Sequence, residues 1–172
     1  MNARELQTAL VHDLEALFSD RRFKTPHQTM EAPKAYKQNV PIRDAQSEED
    51  PFPYIIVRLD HGGVDSQTDP HKVTVLLIIG IFDDGTEDER NPPPQDTEWD
   101  NRNYGTTAVM EMIERIQEHY EKRPALDNGK FYFDGPFHWV MQDEANSYPY
   151  YIGACDLTFT LSAPRKERNK FV

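Results

Sequence analysis

The chain contains very little cysteine, since Cys155 is the only one among its 172 residues. A lone thiol excludes an internal disulfide framework and any site that needs several thiolates. Long apolar runs are also lacking: the longest, residues 75–82, is far too short to span a bilayer. The N-terminus has no apolar signal-peptide core. We therefore expect a soluble protein made in a reducing compartment.

Basic residues are too few for a protein whose whole surface binds duplex DNA. The chain has 19 Lys and Arg against 30 Asp and Glu, which gives a net charge of -11. Glycine-rich phosphate loops are lacking too, because Gly62-Gly63 is only a pair and no lysine follows it at P-loop spacing. The sequence contains no catalytic motif and we expect no cofactor, so the function must be inferred from the architecture of the chain.

Apolar residues make up 37% of the chain and aromatic residues 11%, which is enough for one core. We therefore expect a single domain over residues 1–172. The 13 prolines indicate long irregular connections. Three segments are predicted to lie outside the core: an extended arm at 20–51, an acidic insertion loop at 84–103 and a basic flexible tail at 164–172.

The charges are segregated along the chain. Residues 83–102 hold eight acids against two bases, a net charge of -6, whereas 21–39 and 164–172 carry +4 and +3. Such segments can meet across subunits, or they can be ordinary solvated loops. The candidate subunit-interface residues are Asp83, Asp84, Glu87, Asp88, Glu89, Arg21, Arg22, Lys24, Arg165, Lys166 and Arg168.

Hydrophobic periodicity predicts two helices and several strands. An amphipathic helix is expected at 2–19, where Asn2 and Glu5 have capping-box spacing, and a second at 106–122. Strands are expected at 53–60, 72–83, 130–133, 137–142 and 150–162, with His61-Gly62-Gly63 ending the first and both faces of the second covered. The predicted fold class is α+β, a mostly antiparallel β-sheet of about four to five strands with two helices packed on one face and long loops.

Candidate chemistry is sparse. The loop that contains His61, Asp65, Asp69 and His71 holds weak candidate metal ligands, although a polar hairpin loop has the same composition. Cys155 falls on the core face of a strand, so we interpret it as a buried hydrophobe. The aromatic residues between 131 and 151 favour a core or an interface over base stacking, because no basic strip lies among them.

The order and texture of the elements resemble the tail terminator proteins of long-tailed bacteriophages and, more loosely, the neck and tail-completion proteins that share their fold. The resemblance covers residues 2–162. It rests on the N-terminal helix, on PYIIV at 53–57 and VTVLLIIGIF at 73–82, on the helix GTTAVMEMIERI at 105–116, on Trp139, and on YYIGACDLTF at 150–159.

The resemblance implies a non-enzymatic virion protein that forms a homo-oligomeric ring, typically a hexamer. Such a ring caps the tail tube protein, ends tube polymerisation and joins the head-tail connector or stopper protein. DNA would pass through the channel without tight binding, and no membrane is involved. The implied location is the virion tail or neck, and the host cytoplasm during assembly. Alternatives are another neck or completion protein, a small metal-binding or hydrolytic domain that uses the His61–His71 loop, or a cellular adaptor.

Overall fold

The computed structural model describes residues 2–40, 51–66, 68–84, 104–142 and 148–162. This part of the chain contains two helices and eight strands, with five strands after the first helix and three after the second. The helices are α1, Ala3–Leu17, and α2, Tyr104–Lys122. The strands are β1, Phe23–Lys24; β2, Met30–Glu31; β3, Lys34–Lys37; β4, Tyr54–Gly63; β5, His71–Phe82; β6, Ala125–Leu126; β7, Phe131–Met141; and β8, Tyr150–Leu161.

Helix α1 begins at the predicted capping box. The Asn2 side chain accepts the Glu5 backbone N–H at 3.0 Å, and the Glu5 carboxylate accepts the Asn2 backbone N–H at 3.2 Å. The two bonds satisfy donors that a helix end otherwise leaves without partners. The predicted apolar stripe is buried at Leu6, Leu10 and Leu14. Neither described helix contains an apolar stretch long enough to cross a membrane.

The main sheet has the strand order β3-β4-β5-β8-β7-β6, and β1 and β2 form a separate two-stranded sheet. All neighbours in the main sheet are antiparallel except β3 and β4, which are parallel. The predicted α+β class with two helices on a mostly antiparallel sheet is confirmed. The sheet has six strands where four to five were expected, because the short strands β3 and β6 add to its two edges while two predicted pieces form the single strand β7.

The predicted extended arm at 20–51 is described as far as residue 40 and again at 51. Its described part carries β1, β2 and β3, and β3 pairs with β4 from Lys34↔Tyr54 to Lys37↔Val57. This portion therefore packs on its own chain and extends the main sheet. The predicted acidic insertion at 84–103, beyond Asp84, and the basic tail at 164–172 lie outside the described residues.

Two strands run through sequences that were expected to interrupt them. β4 continues past His61-Gly62-Gly63, because the extra residue Asp60 is accommodated by a register shift against β5. The predicted pieces 130–133 and 137–142 are one strand, β7, whose register against β8 shifts between Phe133 and Phe137. Gly135 adopts φ +64° within that shift, a conformation that suits glycine.

The core lies between one sheet face and the two helices. Alternate residues of β5 and β8, among them Val75, Leu77 and Leu157, are fully buried and belong to the same cluster as the apolar stripes of both helices. α1 packs on β3 and β4, and α2 packs on β5, β7 and β8. The opposite sheet face carries no helix of the described chain. The expectation that both faces of β5 are covered was therefore wrong along most of the strand, because Leu76 and Ile78 remain partly exposed.

Candidate functional site

The broadest candidate surface is the sheet face that the helices leave uncovered, which we call the open face. Its centre is a row of apolar side chains that lie in register across four strands. These residues are Ile56, Ile78, Ala154 and Val140. The Val140 side chain is 62% exposed, and Ile78 and Ala154 are half-buried. Ile56 is only 6% exposed, so the row is an accessible apolar surface from Ile78 to Val140.

Aromatic residues close one end of the open face. Phe52 contacts Tyr54 and Tyr150, with ring centroids 4.8 and 4.9 Å apart, and Phe82 lies 5.7 Å from Tyr150. The Tyr54 ring rests on Gly80, where a Cβ atom would come within 2.3 Å of it. The close approach needs glycine and leaves Tyr54 only 7% exposed. This end of the face is thus packed, in contrast to its centre.

The other end of the open face is polar. His138 Nδ1 lies 3.1 Å from an Asp156 carboxylate oxygen, and the Thr74 and Thr158 hydroxyls are 2.9 Å apart. All four side chains are at least partly exposed. The pairs join neighbouring strands, so the face changes from aromatic through apolar to polar along the strand direction.

Four of the interface candidates, Lys24, Asp83, Asp84 and Arg21, pair within the chain. The Lys24 ammonium lies 3.9 Å from Asp83 and 3.6 Å from Asp84, and the Arg21 guanidinium donates to Glu111 at 2.8 Å. Arg22 is exposed. The predicted acidic and basic segments therefore meet inside one subunit at Lys24, whereas Arg21 pairs with α2.

The remaining interface candidates, Glu87, Asp88, Glu89, Arg165, Lys166 and Arg168, lie outside the described residues. For them the idea that charges pair across subunits stays a prediction.

The weak metal-ligand candidates are spread over the β4–β5 connection. The His61 side chain is 72% exposed and its Nδ1 lies 2.7 Å from Asp60. Asp65 and Asp69 are exposed, and His71 is half-buried at the start of β5. In the part of the chain that the structure describes, no three His, Cys, Asp or Glu side chains are grouped to hold a metal ion.

A polar cluster that periodicity did not reveal joins α1 to α2. One carboxylate oxygen of Asp13 lies 2.8 Å from His119 Nε2 and accepts the Tyr120 hydroxyl at 2.8 Å. Burial raises the pKa of Asp13, but the hydrogen bonds from His119 and Tyr120 outweigh it and leave the pKa below the ordinary value. Burial and the nearby Asp13 carboxylate raise the pKa of Tyr120 well above its usual value. The arrangement keeps Asp13 ionised and Tyr120 neutral, which suits a structural link.

Cys155 lies on the core face, as predicted. Its side chain is 1% exposed, and burial raises the pKa of the thiol. A buried, protonated thiol is a poor nucleophile.

The aromatic residues of the C-terminal half divide between core and surface. Phe131 and Phe133 are buried, whereas Tyr132, Trp139 and Tyr148 are 50%, 53% and 61% exposed. The sequence does not distinguish the buried aromatic residues from the exposed ones. The reason is that the register shift in β7 sets which residues of this strand lie opposite each residue of β8. Two of the exposed residues, Tyr132 and Trp139, lie on the one strand β7.

Comparison of the chain with protein-family models and with characterised proteins finds no match.

Proposed function

We propose that this chain is a structural virion protein, a tail terminator that forms a ring on the end of a phage tail tube. The observation that carries the proposal is the layering of the molecule. Both helices pack on one face of the sheet, and the open face presents an accessible apolar row. This layering and the order of the elements agree with the resemblance described above.

An assembly subunit needs surfaces that remain accessible after it has folded. The open face meets this requirement, because its central row is apolar yet partly exposed, and exposed apolar patches mark interaction sites. A closed ring joins two different patches of neighbouring subunits. We assign one of these patches to the open face, where Ile78 lies in the central row and the partly exposed Ile152 pairs with Gly80 beside that row.

The pairing of Lys24 with Asp83 and Asp84 refines the proposal. Since these charges already meet within one subunit, they contribute little to a contact between subunits. The ring contact is better placed on the apolar row than on this charge pair. The net charge of -11 disfavours tight phosphate binding, in keeping with DNA that passes through a channel.

The test is electron microscopy of the full chain mixed with the tail tube protein of the same genome. We expect a ring at one end of each tube and shorter tubes than those formed without the chain. Ile152→Lys places a charge on the open face and should abolish capping. Gln117→Lys introduces the same positive charge on the helix side, where the Gln117 side chain donates to Glu121. We expect this variant to cap tubes normally.

Three outcomes would contradict the proposal. Tubes that lengthen without limit in the presence of wild-type chain exclude a terminator. Binding to the head connector but never to a tube end would favour another neck protein. Capping that survives Ile152→Lys, in a variant with wild-type circular dichroism, would remove the open face from the ring contact.

A further inference from the structure

The outer edge of the main sheet is covered along the first part of β7 and open along the second. Next to Phe131 and Tyr132 the edge is covered, because β6 pairs there and the Phe133 N–H donates to the Pro124 carbonyl at 2.8 Å. Beyond the register shift, from Phe137 to Met141, β7 pairs with β8 on one side. No strand in the described part of the chain pairs with its other side.

The backbone groups on that side follow from the ladder geometry. The Gln142 N–H donates to the Ile152 carbonyl at 3.0 Å, so residue 142 points toward β8. Alternate residues of a strand direct their N–H and C=O groups to opposite sides. Phe137, Trp139 and Met141 therefore point theirs away from the sheet, as a ready template for another strand.

The two edges of the sheet differ in how they are protected. At the β3 edge, the Glu15 carboxylate accepts the Ala35 N–H at 3.1 Å, and Lys34 and Lys37 add charge. Proteins commonly guard sheet edges in this way. Residues 137–141 contain no Asp, Glu, Lys or Arg, and Trp139 and Val140 are 53% and 62% exposed. The β7 edge therefore lacks these charged residues and is exposed.

We propose that the edge at 137–141 binds the same edge of a second copy of this chain, antiparallel, so that two sheets join into one. The charge distribution argues for this occupant. Two chains of net charge -11 repel, and an uncharged strip lets their backbones approach without opposing like charges. The other described edge, β3, is capped and charged, so the best partner for β7 is another β7.

The strip is also self-complementary. An antiparallel pair centred on Trp139 places Phe137 opposite Met141 and His138 opposite Val140, and no pair contains Asp, Glu, Lys or Arg. Such a twofold contact closes after two copies, so it differs from the head-to-tail contact of a ring and does not depend on the proposed function. Five residues a side make an interface well below the roughly 1,200–2,000 Å² of stable complexes. We therefore expect a weak, reversible dimer.

The test is sedimentation velocity of the full chain up to about 1 mM, where weak contacts become populated. Wild-type chain should form a dimer, and Trp139→Lys should weaken it by about tenfold or more. Tyr132→Lys is the matched control, because Tyr132 is also half-exposed on β7 but lies where β6 already covers the edge. It should leave the dimer unchanged.

Amide exchange measured by NMR distinguishes strand addition from docking on a face. In the dimer the amides of Phe137, Trp139 and Met141 should become protected, while those of His138 and Val140, which point toward β8, should not change. A wild-type chain that stays monomeric, dimerisation unaffected by Trp139→Lys, or no alternation in protection would each overturn the inference. Failure of tube capping with an intact dimer would instead count against the proposed function alone.

Discussion

Asp13 joins the two helices through a single carboxylate oxygen, which contacts both His119 and Tyr120. Because Tyr120 is 1% exposed, its hydroxyl needs a partner inside the fold, and burying a polar group without one is costly. The contact fixes the C-terminal part of α2 against the middle of α1. It is a link within the structure, whose strength depends on the charge of one carboxyl group.

Asp13→Asn keeps an oxygen near Tyr120 but removes that charge. We expect the free energy of unfolding to fall by about 1–2 kcal/mol at neutral pH, since hydrogen bonds to charged groups are the stronger ones. The native pKa of Asp13 is lowered from 3.8. The contribution of its charge is thus complete above that value and is lost as the pH falls through the native pKa. Urea unfolding across this range measures the difference.

Asp69→Asn is the control for this experiment, because Asp69 is exposed in the β4–β5 connection. We expect it to change stability by no more than about 0.5 kcal/mol at any pH. A gap between wild type and Asp13→Asn that stays constant from neutral to acid pH would contradict the assigned role of the Asp13 charge.

Gly153 sets the distance between α2 and β8. A Cβ atom there would lie 2.5 Å from Val109 Cγ1 and 3.0 Å from Met141 Sδ. Gly153→Ala should therefore destabilise the fold by about 1–3 kcal/mol, the usual cost of overpacking. Thermal unfolding provides the measurement.

Val109→Ala removes the atom that the new methyl group meets. If the clash is the cause, the double variant should be more stable than the sum of the two single effects predicts. Strict additivity would show that Gly153 is needed for another reason.

At the scale of elements, the two edges of the main sheet differ in whether their backbone N–H groups have a partner. The Glu15 carboxylate, which belongs to α1, accepts the Ala35 N–H on β3. Glu15→Ala should speed hydrogen exchange at the Ala35 amide and lower stability by about 1 kcal/mol. Glu15→Gln retains an acceptor oxygen and should preserve most of the protection. Exchange at Ala35 that is equal in all three proteins would show that Glu15 does not guard this edge.

The elements that could be predicted from sequence are those with a strong local pattern. α1 and α2 carry apolar stripes at helical spacing, and β5 and β8 alternate over a full strand length, so their bounds are correct to about two residues. β1, β2 and β3 have two to four residues each. Such strands are defined by pairing partners distant in sequence, which no local pattern reports.

The candidate surfaces were harder to predict for a related reason. Asp13 meets partners on α2 that are more than a hundred residues away, and neither end carries a motif. The open edge of β7 depends on where β6 stops and on the register shift near Gly135. Charge segregation was visible in the sequence, but the pairing of Lys24 with Asp83 and Asp84 inside one subunit required the tertiary fold.

At the scale of the whole molecule, the helix layer and the open face have different roles. The helix layer supplies the core, with the fully buried residues of both helices and of the central strands. Ile152 on the open face and Trp139 on the β7 edge lie outside that core, whereas Phe137 and Met141 pack against it. Substitutions at Ile152 and Trp139 can therefore change assembly while the fold is retained. This separation is what makes Ile152→Lys and Trp139→Lys informative variants.

The position of β8 in the sheet has a consequence for synthesis on the ribosome. β8 is the last described strand in the sequence, yet it occupies the middle of the sheet and pairs along its whole length with β5. Until residue 161 has emerged, the nascent chain carries one side of β5 and the apolar stripe of α2 without their main neighbour. The central pairing of the sheet therefore forms only after residue 161 has emerged, and until then the β8-facing side of β5 is exposed without its partner.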